Sequence, residues 1–291
     1  ERMNIPGGKD SPGAEKAYHI RDLAPDPDTL VVVNCAGRTR SIIGAQSLIN
    51  AGTPNKVMAL TNGTMGWHLA GFELEHGAIR QYDPVSESAL DWSQSAAAKV
   101  AKKYGVKTID VSTLCAWQAE TNRRTLYLFD VRSPVEYEAG HVVGSRHAAG
   151  GQLVQATDKF VATNNARVVL IDDTGVRAIM TAHWLIQMGW TDVHVLEGGL
   201  ESLPSDSGAE ANYVPEIDNA TVAVVAPTAV PAGAVIIVVA DSLAYRDGHI
   251  VGAWWAIRAR LEDAVGRLPP AQAYVVTSDD CLLYTSPSPR D

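Results

Sequence analysis

Cys35, Arg38 and Arg40 lie within one six-residue stretch, Cys35-Ala36-Gly37-Arg38-Thr39-Arg40, with Ser41 directly after it. The thiolate is the nucleophilic form of cysteine. A free cysteine with a pKa of about 8.5 is mostly protonated at neutral pH, so a reactive one needs positive potential beside it. Arg38 and Arg40 supply that potential, Gly37 lets the backbone approach closely, and Thr39 and Ser41 add hydroxyl donors. No acidic residue interrupts the loop. Residues Ala36 to Ser41 thus form a cradle for negative charge next to the sulfur, either a phosphate-like oxyanion or a sulfane sulfur carried on Cys35. The plain alternative is a small apolar residue closing a buried strand, but a packing cysteine has no need of two arginines within five residues.

The elements that must hold this loop can be read on either side of it. Val31 to Val33 is a β-branched apolar run, expected to be a buried strand. After the loop, SIIGAQSLI places Ile42, Ile43, Ala45 and Ile49 at helical spacing, which predicts a helix with those residues on its inner face. In a strand-loop-helix unit the loop N–H groups and the positive end of the helix converge above the sulfur.

The 291 residues suggest two or three domains, and 46% hydrophobic content is enough for packed cores. A net charge of −9, with no basic cluster outside the Cys35 loop, argues against nucleic acid as the main partner. No apolar run is long enough to span a membrane, and the opening ERMNIPGGKDSPG is not a signal peptide, so no membrane association and a cytoplasmic location are expected. Cys35, Cys115 and Cys281 make neither a disulfide framework nor a metal-ligand spacing. Cys115 has no charged or glycine-rich setting and reads as a packing residue.

CAGRTRS after a VVV strand resembles the active-site loop of rhodanese-type sulfurtransferases, in which a cysteine opens a six-residue loop and carries a persulfide. LTNGTMGWHLAG, Leu60 to Gly71, resembles that family's Leu-x-Gly-Gly…Trp…Ala-Gly signature, with Asn62 in place of the first glycine. Ile5 to Gly8 is similar to the end of its Gly-His-Ile-Pro-Gly turn, Met3-Asn4 standing for Gly-His. The resemblance puts the first strand of that domain upstream of Glu1, so the chain is expected to begin inside a domain. Protein phosphatases of related fold need cysteine, five residues, then arginine; here arginine follows after four and the next position is Ser41, which demotes that reading.

The pattern then repeats. Thr125 to Ala148 resembles the family's opening: a strand ending at Asp130, then Arg132, Glu136-Tyr137 and the turn Gly140-His141-Val142-Val143-Gly144. Arg167 to Trp190 matches the strand-loop-helix of residues 31 to 52, and Val193 to Leu200 matches the Leu-x-Gly-Gly turn. The register sets Asp172 where Cys35 stands and Arg177 opposite Arg40. A carboxylate cannot accept a sulfane sulfur and would mimic a bound anion instead, so this copy is expected to be silent. His141 is expected to bond local backbone, and Asp130 with Arg132 to be a fold-stabilising pair. A third copy begins near Ile217. Gly233 to Leu261 matches through Tyr245, Gly248, His249, Ile250 and Gly252, and Ser278 falls in the cysteine place, or Asp279 if the register slips by one.

The expected fold class is therefore α/β, with repeated rhodanese-like domains, each a parallel β-sheet with helices on both faces. The divisions are 1–80, carrying the Cys35 loop and N-terminally truncated; 81–108, a connector; 109–203, complete; 204–216, a linker; and 217–280, C-terminally truncated. Residues 14–23, 96–104 and 110–120 read as helices, the last with Ser112 as its cap, and Lys56 to Leu60 as a short buried strand. CLLYTSPSPRD, 281–291, has no helical or strand period and resembles translated adaptor sequence, so the whole is expected to be an internal fragment of a longer tandem protein. The resemblance implies sulfur transfer through a Cys35 persulfide, from a small donor such as thiosulfate to cyanide or a thiol, with a sulfur-carrier protein as a further partner. Ala36, Gly37, Arg38, Thr39, Arg40 and Ser41 would bind substrate. No metal or organic cofactor is implied. A binding or redox-sensing role is the alternative, with a thiolate phosphatase or arsenate reductase behind it.

Overall fold

The computed structural model describes residues 3–78, 80, 82–210 and 224–278. They fall into two compact units, Glu1–Glu210 and Ala211–Asp291. In chain order the first unit contains α1 (Glu15–Leu23), β1 (Val31–Val33), α2 (Thr39–Ala51), β2 (Val57–Ala59), α3 (Gly63–Leu69), α4 (Glu87–Tyr104), β3 (Lys107–Ile109) and α5 (Val111–Ala119). It continues with β4 (Leu126–Asp130), α6 (Pro134–Ala139), β5 (His141–Val142), β6 (Arg146–His147), α7 (Gly150–Gln155), α8 (Thr157–Phe160), β7 (Arg167–Ile171), α9 (Val176–Gln187), β8 (Val193–Leu196) and β9 (Ser205–Asp206). The second unit has β10 (Val235–Val238), α10 (Ser242–Asp247), β11 (Trp254–Trp255), α11 (Leu261–Val265) and β12 (Tyr274–Thr277).

One five-stranded parallel sheet, ordered β3-β8-β7-β4-β6, forms the centre of the first unit. Its middle strand β7 is apolar and buried from Val168 to Ile171, as a strand covered on both faces must be. β1 carries the same kind of run but pairs, among the described residues, only with β2. Val33 is buried there while Val32 is 49% exposed, and Met58 of β2 is exposed too. The expectation of two buried strands is thus corrected: strand propensity formed them, but a β-branched run is buried only where neighbours cover both of its faces. The second unit's strands are also parallel, ordered β11-β10-β12.

Three further readings are corrected. α2 turns Ser41, Gly44, Ala45, Ser47, Leu48 and Ala51 inward and leaves Ile42 and Ile49 exposed. A Cβ on Gly44 would stand 3.2 Å from Val33 Cγ1, so the helix lies too close to its neighbours for isoleucine on that face. Residues 87–104 form one 18-residue helix capped by the Ser86 hydroxyl. Its buried face, Ala89, Ser93, Ala96, Ala97 and Val100, is made of small residues with weak hydrophobic contrast, so the sequence shows only the part over 96–104 and the helix begins nine residues earlier, within the expected connector. It packs against α1 and α9. Asp110, not Ser112, caps α5, accepting the Thr113 N–H at 2.8 Å. On that helix Cys115 is exposed rather than packed, because Leu114 and Trp117 already supply the contacts to the sheet.

The repeat is visible in the turns. Tyr137 Oη donates to Ser145 O at 2.9 Å and Tyr245 Oη to Ala253 O at 2.7 Å. His141 Nδ1 lies 2.8 Å from Tyr137 O, and His249 Nδ1 lies 2.7 Å from Tyr245 O, each imidazole stacked on its tyrosine. The turns close at Gly7, Gly144 and Gly252 with φ of 77°, 79° and 80°. In the first copy Asn4 takes the histidine's place: it bridges Glu75 antiparallel, as His141 pairs with Asp206 through β5 and β9. Ser205 and Asp206, in the stretch expected to be a linker, form with His141 and Val142 a separate two-stranded antiparallel sheet. Residues 211–223, Asp279, Asp280 and the 281–291 tail with Cys281 lie outside the described residues.

Candidate active site

Cys35 stands just past the carboxyl end of β1, where open α/β sheets present ligands. Thr64 N–H donates to Cys35 O at 2.9 Å and Met65 N–H to Ala36 O at 3.1 Å, tying the loop to the start of α3. The contact is too close for a side chain. A Cβ on Gly63 would come within 1.9 Å of Cys35 O, and Gly63 itself has φ of 55°. Asn62, in place of the usual glycine, holds the left-handed conformation at φ 56°, which asparagine tolerates best after glycine.

The sulfur is half-buried. Partial burial pushes the Cys35 thiol up, but the Ser41 hydroxyl, the Gly37 and Ser41 N–H groups and the Arg40 charge outweigh it, and the pKa is lowered. The Ser41 hydroxyl lies 3.6 Å from Cys35 Sγ and donates to Arg38 O at 2.8 Å. Its single proton serves one acceptor at a time: a thiol donates to this oxygen, whereas a thiolate draws the proton toward itself by rotation of the hydroxyl. Arg38 and Arg40 are exposed and make no ion pair with any described residue. Their charge is available to something that arrives from solvent.

Asp172 occupies the matching point of the second copy, past the end of β7. It accepts Gly175 N–H at 2.8 Å and Arg177 N–H at 2.9 Å, so the carboxylate takes up the donors of the loop. A Cβ on Gly199 would come within 2.4 Å of Asp172 O, the same closeness that Gly63 has to Cys35. Arg177, the partner of Arg40 in register, is only 1% exposed. Its guanidinium bonds Glu15 at 3.0 Å, Glu136 at 2.9 Å and Asp173 at 2.7 Å, and it lies over the Tyr18 ring. Burial raises Asp172 to about 6 against the pull of Arg177, with Asp173 adding to the rise. Glu136 is held down at about 2, Arg177 overcoming its desolvation.

Ser278 directly follows β12 in the second unit. Asp130 and Arg132 form a buried pair at 2.6 Å, and Arg132 also donates to Gly140 O, so this pair braces the turn after β4. The loop from Cys35 to Ser41 is thus brought together as one site.

Sequence spacing did not reveal two residues of α1. Glu15 crosses to Arg177 of the second copy. Lys16 lines the same cavity of about 790 Å³ as Cys35 and Arg40, together with Gly151, Gln152, Thr181 and Trp184. Burial pushes Lys16 down to about 8, with Asp10 and the Cys35 charge opposing. No local pattern links Lys16 to a cysteine that far along the chain; only the packing of α1 on α2 does.

A parallel pair of strands thus presents a thiol at one carboxyl end, with N–H groups and two arginines that make no ion pair among the described residues in the same loop, an arrangement suited to a thiolate. The rhodanese-like domain model matches residues 113–205. A crystal structure of a thiosulfate sulfurtransferase from Pseudomonas aeruginosa is 47% identical with a TM-score of 0.86, over 97% of this chain and 54% of that one. The uncharacterized protein YqhL of Bacillus subtilis (strain 168) is 31% identical over 91 residues, 31% of this chain and 71% of YqhL. The thiosulfate sulfurtransferase GlpE of Pseudomonas paraeruginosa (strain DSM 24068 / PA7) is 35% identical over 74 residues, 25% of this chain and 64% of GlpE. The chain therefore spans about half the length of the similar crystallised protein. It belongs to the rhodanese-like family. Among the described residues no helix is long and apolar enough to cross a membrane.

Proposed function

We propose that the chain is a sulfurtransferase in which Cys35 carries sulfane sulfur from thiosulfate or a similar small donor to cyanide or a thiol. The observation that carries this reading is a half-buried thiol at a strand's carboxyl end, in a loop whose two arginines are exposed and make no ion pair among the described residues. The Cys35 thiolate attacks the sulfane sulfur of the donor. The bond to the sulfonate sulfur breaks, sulfite leaves with the electron pair, and Cys35 holds a persulfide. Arg38 and Arg40 take the sulfonate oxygens, and the N–H groups of Gly37 and Ser41 face the sulfur. A thiolate or cyanide then attacks the terminal sulfur and the Cys35 thiolate leaves. The two half-reactions give ping-pong kinetics.

The similarity to proteins named thiosulfate sulfurtransferase supports this reading. On it, the 109–203 copy, with Asp172, and the 217–280 copy, with Ser278, are silent, and 1–80 is the working domain. A sulfur-carrier protein is an acceptor consistent with the open loop, and a free thiol of this kind suits a reducing compartment such as the cytoplasm.

The test is intact mass after incubation with thiosulfate and desalting, on the wild-type chain and on Cys35→Ala. A gain of one sulfur atom in the first and none in the second is the expected result. No gain in either, while Cys35 still alkylates faster than an ordinary thiol, would move the protein to the binding or redox-sensing role.

A further inference from the structure

We infer that Lys16 is a positioning residue of the Cys35 site, its ammonium acting as a further cation that keeps the sulfur negatively charged. This deepens the sulfurtransferase reading and rests on it for its meaning, but its test does not.

The geometry has two parts. Lys16 comes from α1, outside the loop, and shares with Cys35 and Arg40 the cavity of about 790 Å³. Its stem lies across α2 at Gly44, where a Cβ would stand 2.9 Å from Lys16 Cε and 3.1 Å from Cδ. Any other residue at 44 would push the lysine away. The bare backbone at that point gives the aliphatic stem a track along the wall of the cavity that Lys16 shares with Cys35.

The electrostatics agree. Desolvation brings Lys16 down to about 8, Asp10, Cys35 and Glu15 act to raise it, and Arg40 lowers it. Asp10 comes from the preceding loop, Glu15 from its own helix, and Cys35 and Arg40 from the active-site loop. A cation so placed costs folding free energy, and that cost falls when the neighbouring sulfur carries a negative charge, as a thiolate or as a persulfide. Arg38 and Arg40 are exposed and screened by solvent, whereas Lys16 acts from within the cavity wall.

The experiment measures the rate of Cys35 alkylation by iodoacetamide across pH for the full chain, for Lys16→Met and for Lys16→Arg. Methionine keeps the stem over Gly44 without the charge. The expected result is a higher midpoint in Lys16→Met, a rate at neutral pH lower by about three- to tenfold, an unchanged plateau at high pH, and recovery in Lys16→Arg. A profile in Lys16→Met that superimposes on the wild type overturns the inference. Equal slowing in both variants also overturns it, since the effect would then be packing.

If Lys16→Met does not fold, Cys35→Ser gives the reciprocal reading. The 13C-methyl-lysine signal of Lys16, after reductive methylation, should titrate at lower pH once the thiolate is gone, and no change would overturn the coupling. Failure of thiosulfate uptake with the alkylation profile as expected would instead sink the sulfurtransferase reading and leave Lys16 in place.

Discussion

Cys35 and Asp172 stand at the same point of two strand-loop-helix units, and the arginines after them have opposite fates. Arg40 is exposed, with no ion pair among the described residues, while Arg177 is buried and held by Glu15, Glu136 and Asp173. One cradle keeps its positive charge for a visitor. The other is filled from within, its loop N–H groups taken by the Asp172 carboxylate and its cation by three further carboxylates. The backbone is shared, so the difference lies in which side chains reach the loop and from where. Glu15 is the telling case: it belongs to the copy that carries the thiol yet neutralises the arginine of the copy that lacks one.

The largest effect should come from breaking the filled cradle. Arg177→Met leaves Glu15 and Asp172 buried without their cation, and removing one partner of a buried ionic network typically costs about 3–5 kcal/mol. Thermal unfolding should fall by on the order of 10 °C. An unchanged melting temperature would mean that the carboxylates simply take up protons.

Next in size is the pH dependence of Asp172. Its folded pKa, about 6, lies above the ordinary carboxylate range, so its neutral form is favoured by folding. The contribution is fully present below the unfolded value and is lost as pH rises through the folded one, by on the order of 2–3 kcal/mol. Glu136 acts in the opposite direction, its stabilisation lost only as pH falls toward about 2. Asp172→Asn should therefore gain on the wild type in denaturant titrations as pH rises from 4 to about 6. Parallel stability curves would remove the strained carboxylate from the comparison.

Arg40→Met tests the open cradle. An exposed arginine with no ion pair among the described residues should leave stability within about 0.5 kcal/mol when replaced. Thiosulfate-dependent mass gain should slow by roughly tenfold, the loss of one charge-assisted contact to the sulfonate. Destabilisation like that of Arg177→Met would mean that the two arginines do not differ as their burial indicates.

The smallest signal is the sharpest. Asp172→Cys, placed in a Cys35→Ala background, puts a thiol into the second cradle while Arg177 stays engaged. No sulfur uptake is expected by intact mass. Uptake there would show that the thiol alone makes a site active and that the carboxylates around Arg177 are irrelevant to silence.

What the residues determined unaided was whatever is settled over short distances along the chain. The Cys35 loop, the alignment of Asp172 with it, the glycine-histidine turn and the helix over 15–23 all depend on hydrogen bonds and backbone angles spanning a few residues. Gly63 and Gly199 were legible only through the resemblance of their turns to the Leu-x-Gly-Gly signature, and the structure supplies the reason: each turn grazes the loop before it and leaves no room for a side chain. The burial of β1, the inner face of α2 and the exposure of Cys115 could not, because apolar spacing states that a face exists and not which neighbour covers it or how closely. The two charged residues of α1 lay furthest from view. Glu15 and Lys16 adjoin in sequence, and only the packing of α1 against both α2 and α9 sends the Glu15 carboxylate to Arg177 and sets Lys16 on the wall of the cavity that Cys35 also lines. Electrostatic coupling follows distance in space, and distance in space is what the tertiary structure alone decides.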